Sequence, residues 1–329
     1  MSRIASCIVA LVLMSAPAGA VGFQHGTAPD PDDQPLEIGI WYPSDAPASP
    51  QRLGPFEQSV AVNAAVAGDH LPLIVISHGS GGSFEGHYDT ALALADAGFV
   101  VVAVTHTGDN YRDHSKFARL VERPRHIARV LDYMLSAWPE HGRIDPARIG
   151  MFGFSAGGAA TLVTIGGTPD TALVRPHCAA HPDEWACRQL KAANVDLSAP
   201  PPPPLPASAW VHDPRVKTAV LAAPAIGYTF TREGLAEIRA PVQLWRGDAD
   251  EVLPHPYHAQ SIFEALPAKP DYHIVPNAGH FAFLAPCSAE LAKAVPEICR
   301  DPPGFDRIAF HREFNAAVVA FFKMHLPAG

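Results

Sequence analysis

The stretch IGMFGFSAGGAA, Ile149 to Ala160, holds a serine between two glycines at G-x-S-x-G spacing: Gly153, Ser155 and Gly157. RIGMF before it is apolar enough for a buried strand, and AGGAATL after it is a run of small helix formers. A strand that turns directly into a helix leaves no room for a side chain at either flank, so both flanks call for glycine. Such a strained turn lifts the serine hydroxyl above the sheet at the N-terminus of the helix. Developing negative charge is favoured there. The same letters also suit a plain glycine-rich helix start, so the rest of the chain has to decide between the two.

Outward from Ser155, apolar strands alternate with amphipathic helices. LPLIVISHG reads as a buried strand ending in a turn. GHYDTALALADAGF follows as a helix stopped at Gly98, and VVVAVTH as the next strand. FARLVERPRHIARVLDYMLSAW has helical spacing, with Pro124 breaking or starting its main helix. RVKTAVLAAP, APVQLWRGDAD and DYHIVPNAGH each predict a strand leading into a loop. Phe310, Phe314, Val318 and Phe321 share one face of a last helix. Continuous apolar strands separated by helices predict an α/β fold, a mostly parallel central sheet with helices on both faces. LEIGIWYP, before Leu71, is expected to supply antiparallel edge strands. Between Gly167 and Trp210 the rhythm breaks, with two cysteines and no strand-like run. Five consecutive prolines, Pro200 to Pro204, predict stiff polyproline II there. They read as a rigid spacer in a proline-rich cap inserted over about residues 167–212, or alternatively as a docking motif.

Ligands of such sheets sit at the C-terminal strand ends, where His78, Ser80, Ser155, Asp248, Asp250 and His280 all fall. A serine nucleophile needs a base, and the chain order in this architecture is serine, acid, histidine. NAGHFAFL puts His280 just past the strand YHIV, within reach of Ser155. His273 lies inside that strand and His311 near the start of the last helix, so neither is favoured. RGDADEVLP offers Asp248, Asp250 and Glu251, and spacing alone does not separate the two aspartates. The oxyanion donors are assigned to the backbone N–H groups of Ser80, in SHGSGG, and of Ala156. His106 and Asp109, in THTGDNYRD, line the pocket or hold the loop. HPYH sets His255 and His258 three apart, but with no third ligand in view they read as surface residues at a helix start. Trp245 and Phe154 read as core and pocket lining. No metal and no cofactor is expected.

The 329 residues are 48% hydrophobic and carry a formal net charge of -9, with no run of Lys or Arg. That disfavours nucleic acid as a partner, whose binding rests on basic patches, and equally disfavours anionic membrane surfaces. MSR, IASCIVALVLMSA and AGA read as the three parts of a signal peptide over residues 1–20, cleaved near Ala20. The apolar run is short for a membrane span. The expected location is secreted, periplasmic or extracellular. Cys7 leaves with the leader. The short loops Cys178–Cys187 and Cys287–Cys299 are the expected disulfides among three possible connectivities.

Together WYP, SHGSGG, GMFGFSAGG, DPRVKTAVLAAPAIG, GDADEVLP and GHFAFL resemble the α/β-hydrolase superfamily. Within it they are most similar to secreted dienelactone-hydrolase-like proteins, close to the platelet-activating factor acetylhydrolases. The resemblance covers nearly all of the chain past the leader. It implies the α/β-hydrolase fold and a serine esterase acting on small-molecule or lipid-like esters through Ser155, Asp250, His280 and an acyl-enzyme. The family pattern G-x-x-D-x-x-x-P falls on Asp250 rather than Asp248. Dienelactone hydrolases themselves use a cysteine nucleophile where this chain has Ser155. An amidase, peptidase or acyltransferase would use the same residues, and a non-catalytic binding protein could keep the fold.

Overall fold

The computed structural model describes residues 20–119, 121–200, 203 and 205–328. The expected leader, apart from Ala20, lies outside the described residues. So do Pro201, Pro202 and Pro204 of the proline run.

Six strands run parallel: β5 (Leu71–Ser77), β6 (Val100–Thr105), β7 (Ile144–Phe154), β8 (Val216–Ala222), β9 (Val242–Gly247) and β10 (Asp271–Val275). Before them come β1 (Ala20–Ala28), β2 (Leu36–Ser44), β3 (Ser49–Leu53) and β4 (Phe56–Val62). All ten form one sheet in the order β10-β9-β8-β7-β5-β6-β2-β1-β4-β3. LEIGIWYP, as β2, pairs antiparallel as expected, but it is not at the edge. It sits between β6 and β1, and β4 and β3 extend the sheet further. The reason is its composition. Leu36, Ile38, Ile40 and Tyr42 enter the core on one face and Trp41 the core on the other. A strand apolar on both faces belongs in the interior of a sheet.

Helices cover both faces. α1 (Tyr88–Asp96), α2 (Glu122–Ser136) and α3 (Ala156–Thr164) are followed by the short α4 (Val174–Ala180) and α5 (Trp185–Ala192). Then come α6 (Ala259–Ala265), α7 (Ala289–Ala294), α8 (Pro296–Cys299) and the long α9 (Arg307–His325). Pleat alternation feeds two cores. Leu73 and Val75 of β5 pack with α2, α3 and α6, whereas Ile74 and Ile76 pack with α1 and α9. Phe310, Phe314, Val318 and Phe321 of α9 are buried as their spacing predicts. Each fully buried side chain of this size contributes about 1.5–3 kcal/mol. Pro124 is the third residue of α2, where its missing N–H removes no intrahelical bond. α1 stops at Gly98, which adopts φ +99°.

Between Gly167 and Trp210 lie α4 and α5, joined by the Cys178–Cys187 disulfide. A second disulfide, Cys287–Cys299, spans α7 and α8. Among the described residues no helix is long and apolar enough to cross a membrane.

Candidate active site

β5 has β7 on one side and β6 on the other, so the connection after β6 crosses back over β5. A crevice opens at the strand ends where the winding reverses. The loops after β5 and β7 meet there, carrying Ser80 and Ser155.

Ser155 is the single residue between β7 and α3, held at φ +54°, ψ -117°. A non-glycine residue in that region is strained and must be held by its surroundings. Its N–H donates to Ala222 O at 3.0 Å, and its own carbonyl accepts from Gly158 and Ala225, both at 2.9 Å. The flanking glycines are steric necessities. A Cβ on Gly153 would lie 2.3 Å from Gly157 O, and one on Gly157 would lie 2.0 Å from Ser77 O. Gly79 also approaches the turn, since a Cβ there would meet the Phe154 ring at 2.9 Å.

His280 begins a short 3₁₀ turn (His280–Phe283) after β10. Its Nε2 is 3.1 Å from Ser155 Oγ, and its Nδ1 is 2.8 Å from Asp250 Oδ2. The His280 and Asp250 side chains are 2% and 4% exposed, so water does not compete for this bond. Asp250 Oδ1 accepts from the N–H groups of Val252 at 3.0 Å and Leu253 at 2.7 Å. With both oxygens occupied as acceptors, the carboxylate takes the Nδ1–H of His280 and leaves Nε2 as the acceptor facing Ser155. Asp248 is exposed and accepts from Asn277 N–H at the neighbouring turn. Glu251 is also exposed. Phe154 and Trp245 are buried, but neither lines the cleft: Phe154 packs its ring 4.9 Å from that of His280, and Trp245 stacks on His273 at 3.9 Å. His311 is structural, bridging Asp89 at 2.6 Å and Ala282 O at 2.8 Å.

Ser80, Ser155 and Ala156 line one open cleft of about 240 Å³ together with Phe117, Trp185 and Leu190. Trp185 and Leu190 come from the segment between Gly167 and Trp210. Ala156 is the first residue of α3, where backbone N–H groups have no partner within the helix. No described residue accepts the Ser80 N–H.

Sequence reasoning missed what fixes this loop. Arg123 and Asp109 form an ion pair at 2.8 Å, with side chains 6% and 7% exposed. Arg123 also donates to His78 O and Gly79 O, and Asp109 accepts from Gly81 N–H at 3.2 Å and Ser80 Oγ at 3.4 Å. Of the two readings of Asp109, holding the loop is therefore the better supported. A signal was present: Arg123, Ile127, Leu131 and Met134 share one face of α2, so the arginine stood on the apolar side.

Buried histidines surround the pair. His78 Nε2 accepts from His106 N–H at 3.1 Å, His106 Nε2 contacts Ser77 Oγ at 2.8 Å, and the His106 and His126 Nδ1 atoms lie 3.2 Å apart. Burial, then the Arg123 charge, holds His78 and His106 well below the usual imidazole range. Burial pushes His87 and His126 down to about 4. The unfolded chain titrates near 6.5 and binds protons that the folded chain refuses. Stability is therefore complete above about pH 6.5 and is lost as pH falls toward 4, by roughly 1.4 kcal/mol per pH unit per group. Thermal melts should show the transition dropping steadily from pH 6.5 to 4.5; a flat profile would contradict neutral burial.

His255 is exposed, as expected, but His258 is not: it is 2% exposed and directly precedes α6. A third ligand-type group also stands beside it, Glu184 at 3.3 Å. Reading both histidines as surface residues is thus corrected. Both histidines came from sequence, but Glu184, the residue before α5, is 74 positions from His258 in the chain.

The sequence profile described as the Alpha/beta hydrolase family matches residues 73–294. Among curated proteins, the bis(hydroxyethyl) terephthalate hydrolase of Streptomyces coelicolor is 27% identical over 192 residues, 57% of this chain and 44% of that protein. The chain thus matches less than half the length of that relative. Among solved structures, a ferulic acid esterase from Streptomyces cinnamoneus is similar with a TM-score of 0.63 at 20% identity, over 96% of this chain and 92% of that one. That likeness is one of fold.

Proposed function

We propose that this chain, which belongs to the alpha/beta hydrolase family, is a secreted serine esterase. The observation that carries this reading is the hydrogen-bonded chain Ser155 Oγ, His280 Nε2, His280 Nδ1, Asp250 Oδ2, placed at an apolar cleft. Ser155 attacks the ester carbonyl as His280 takes its proton. The charge that develops on the carbonyl oxygen is held by the Ser80 and Ala156 N–H groups, each worth about 3–4 kcal/mol in the transition state. Asp250 orients His280 and stabilises the imidazolium. The alcohol leaves with the proton from His280; water then attacks the acyl-enzyme as His280 takes its proton, and Ser155 Oγ leaves with that proton, releasing the acid and restoring the enzyme.

The segment over about residues 167–212 acts as a cap, since Trp185 and Leu190 form part of the cleft wall. Phe117 and Trp185 meet edge to face, with ring centroids 5.9 Å apart. An acyl group with an apolar or aromatic body fits such a wall, and the curated relative is named for an ester of an aromatic acid. Secretion is supported by the leader-like N-terminus and by two disulfides, which persist in oxidising compartments.

The test is turnover of p-nitrophenyl esters, from acetate through long acyl chains and benzoate, with a fluorophosphonate probe mapped by peptide mass spectrometry. Turnover favouring an apolar acyl group, and labelling at Ser155, are expected. A folded protein that neither turns over any ester nor takes the probe would reject the reading.

A further inference from the structure

Three side chains that the mechanism does not use converge where the cap meets the loop after β9. His177 lies on α4, Glu184 is the residue before α5, and His258 the residue before α6. The Cys178–Cys187 disulfide ties α4 to α5 and so fixes His177 and Glu184 beside one another. Glu184 Oε2 is 2.9 Å from His177 Nε2 and 3.3 Å from His258 Nε2. One ligand atom from each of the three lies within 4.8 Å of the others. Their side chains are 8%, 7% and 2% exposed, in chain order.

Hydrogen bonding alone accounts poorly for this arrangement. Both imidazoles crowd one carboxylate oxygen, while Glu184 Oε1 and His258 Nδ1 are buried without a partner. An unsatisfied buried polar atom is costly, and more so when charged. A divalent cation between the two Nε2 atoms and the carboxylate uses all three groups as ligands and gives the buried Glu184 Oε1 a partner, while leaving His258 Nδ1 as it is. Tetrahedral bonds of about 2.0–2.1 Å set neighbouring ligand atoms roughly 3.3 Å apart. Two of the three separations are already close to that value, and the third lies within 4.8 Å. Ring packing limits the rotation available to His177, which stacks on Tyr228 with centroids 3.6 Å apart and planes at 11°.

The donor set selects the ion. Calcium and magnesium favour oxygen ligands, and no thiolate is present. Two imidazoles and one carboxylate suit a borderline first-row ion, zinc above all. We propose that His177, Glu184 and His258 form a zinc site that clips the cap to the body of the protein. Glu184 Oε1 or water completes the shell. Tyr228 also lines the cleft beside Ser155, so the clip holds part of the cleft wall in place.

The test uses the disulfide-intact protein stripped with a chelator, then titrated with zinc chloride by calorimetry and with cobalt chloride by visible absorption. One zinc per chain, a raised melting temperature and an intense four-coordinate cobalt spectrum are expected. Glu184→Gln and His258→Gln should each weaken zinc binding by more than the roughly 10- to 100-fold that losing a hydrogen-bond partner of a metal ligand costs, whereas His255→Ala, at an exposed neighbour, should not change it. Zinc-edge absorption of the loaded wild type should show two imidazoles at about 2.0 Å; this alone decides the matter if the variants do not fold. Absence of zinc binding by the folded wild type, binding unchanged in both glutamine variants, or a shell without two imidazoles would overturn the proposal. None of these measurements depends on esterase activity.

Discussion

Ser155→Ala is expected to lower kcat on the best p-nitrophenyl ester by about 10⁴- to 10⁶-fold, with circular dichroism and melting temperature nearly unchanged. The expectation follows from the way the three side chains act as a unit. Ser155 Oγ, 3.1 Å from His280 Nε2, has no proton acceptor other than this imidazole in the proposed mechanism. His280→Ala should therefore cost as much as Ser155→Ala, and the double variant no more than either alone. Asp250→Asn keeps the shape of the site but can no longer take the Nδ1–H, so His280 turns to the wrong tautomer; about 10⁴-fold is expected. Asp248→Asn separates the two aspartates of RGDAD. Its carboxylate closes the turn at Asn277, so activity should change only a few-fold. A Ser155→Ala protein as active as the wild type would end the esterase mechanism proposed above. Equal losses from Asp248→Asn and Asp250→Asn would undo the assignment of the acid.

The second large effect is on stability. Asp109→Asn is expected to destabilise the fold by about 3–5 kcal/mol, because it leaves the Arg123 guanidinium buried and uncompensated. Replacing both partners by apolar residues, often harmless for buried pairs, should not rescue this one. Arg123 also satisfies His78 O and Gly79 O, and a hydrocarbon would leave those carbonyls bare. The loop held by these bonds carries the Ser80 N–H, so the surviving folded fraction should show a lower kcat as well. Urea titration reads the first effect and ester turnover at low temperature the second. A loss below about 1 kcal/mol would mean that water reaches the pair and screens it.

Much of this molecule was legible in the sequence for simple reasons. The parallel strands from LPLIVIS to DYHIV are continuous apolar runs between helices, and a pattern of that kind has few solutions. Gly153 and Gly157 announced the turn because only glycine fits where a Cβ would meet backbone at 2.0–2.3 Å. His280 was legible by order and by its place just past a strand. The disulfides Cys178–Cys187 and Cys287–Cys299 were legible because each closes a short loop. LEIGIWYP was read correctly as antiparallel, yet its place inside the sheet depended on what β1, β4 and β3 add beyond it.

By itself, then, the sequence determined the six parallel strands, the helices α1, α2, α3 and α9, the sharp turn at Ser155 and the chemical type of each group near it. Local backbone sterics and hydrophobic periodicity act over a few residues and are written in the order of the letters. Only the tertiary structure decided which aspartate meets His280, that Arg123 and Asp109 hold the Ser80 loop, and that His258 is buried beside Glu184 and His177. Those pairings join residues from 14 to 81 positions apart in the chain. Whether two such groups meet depends on how helices and loops pack around the sheet, and short-range pattern carries no information about that.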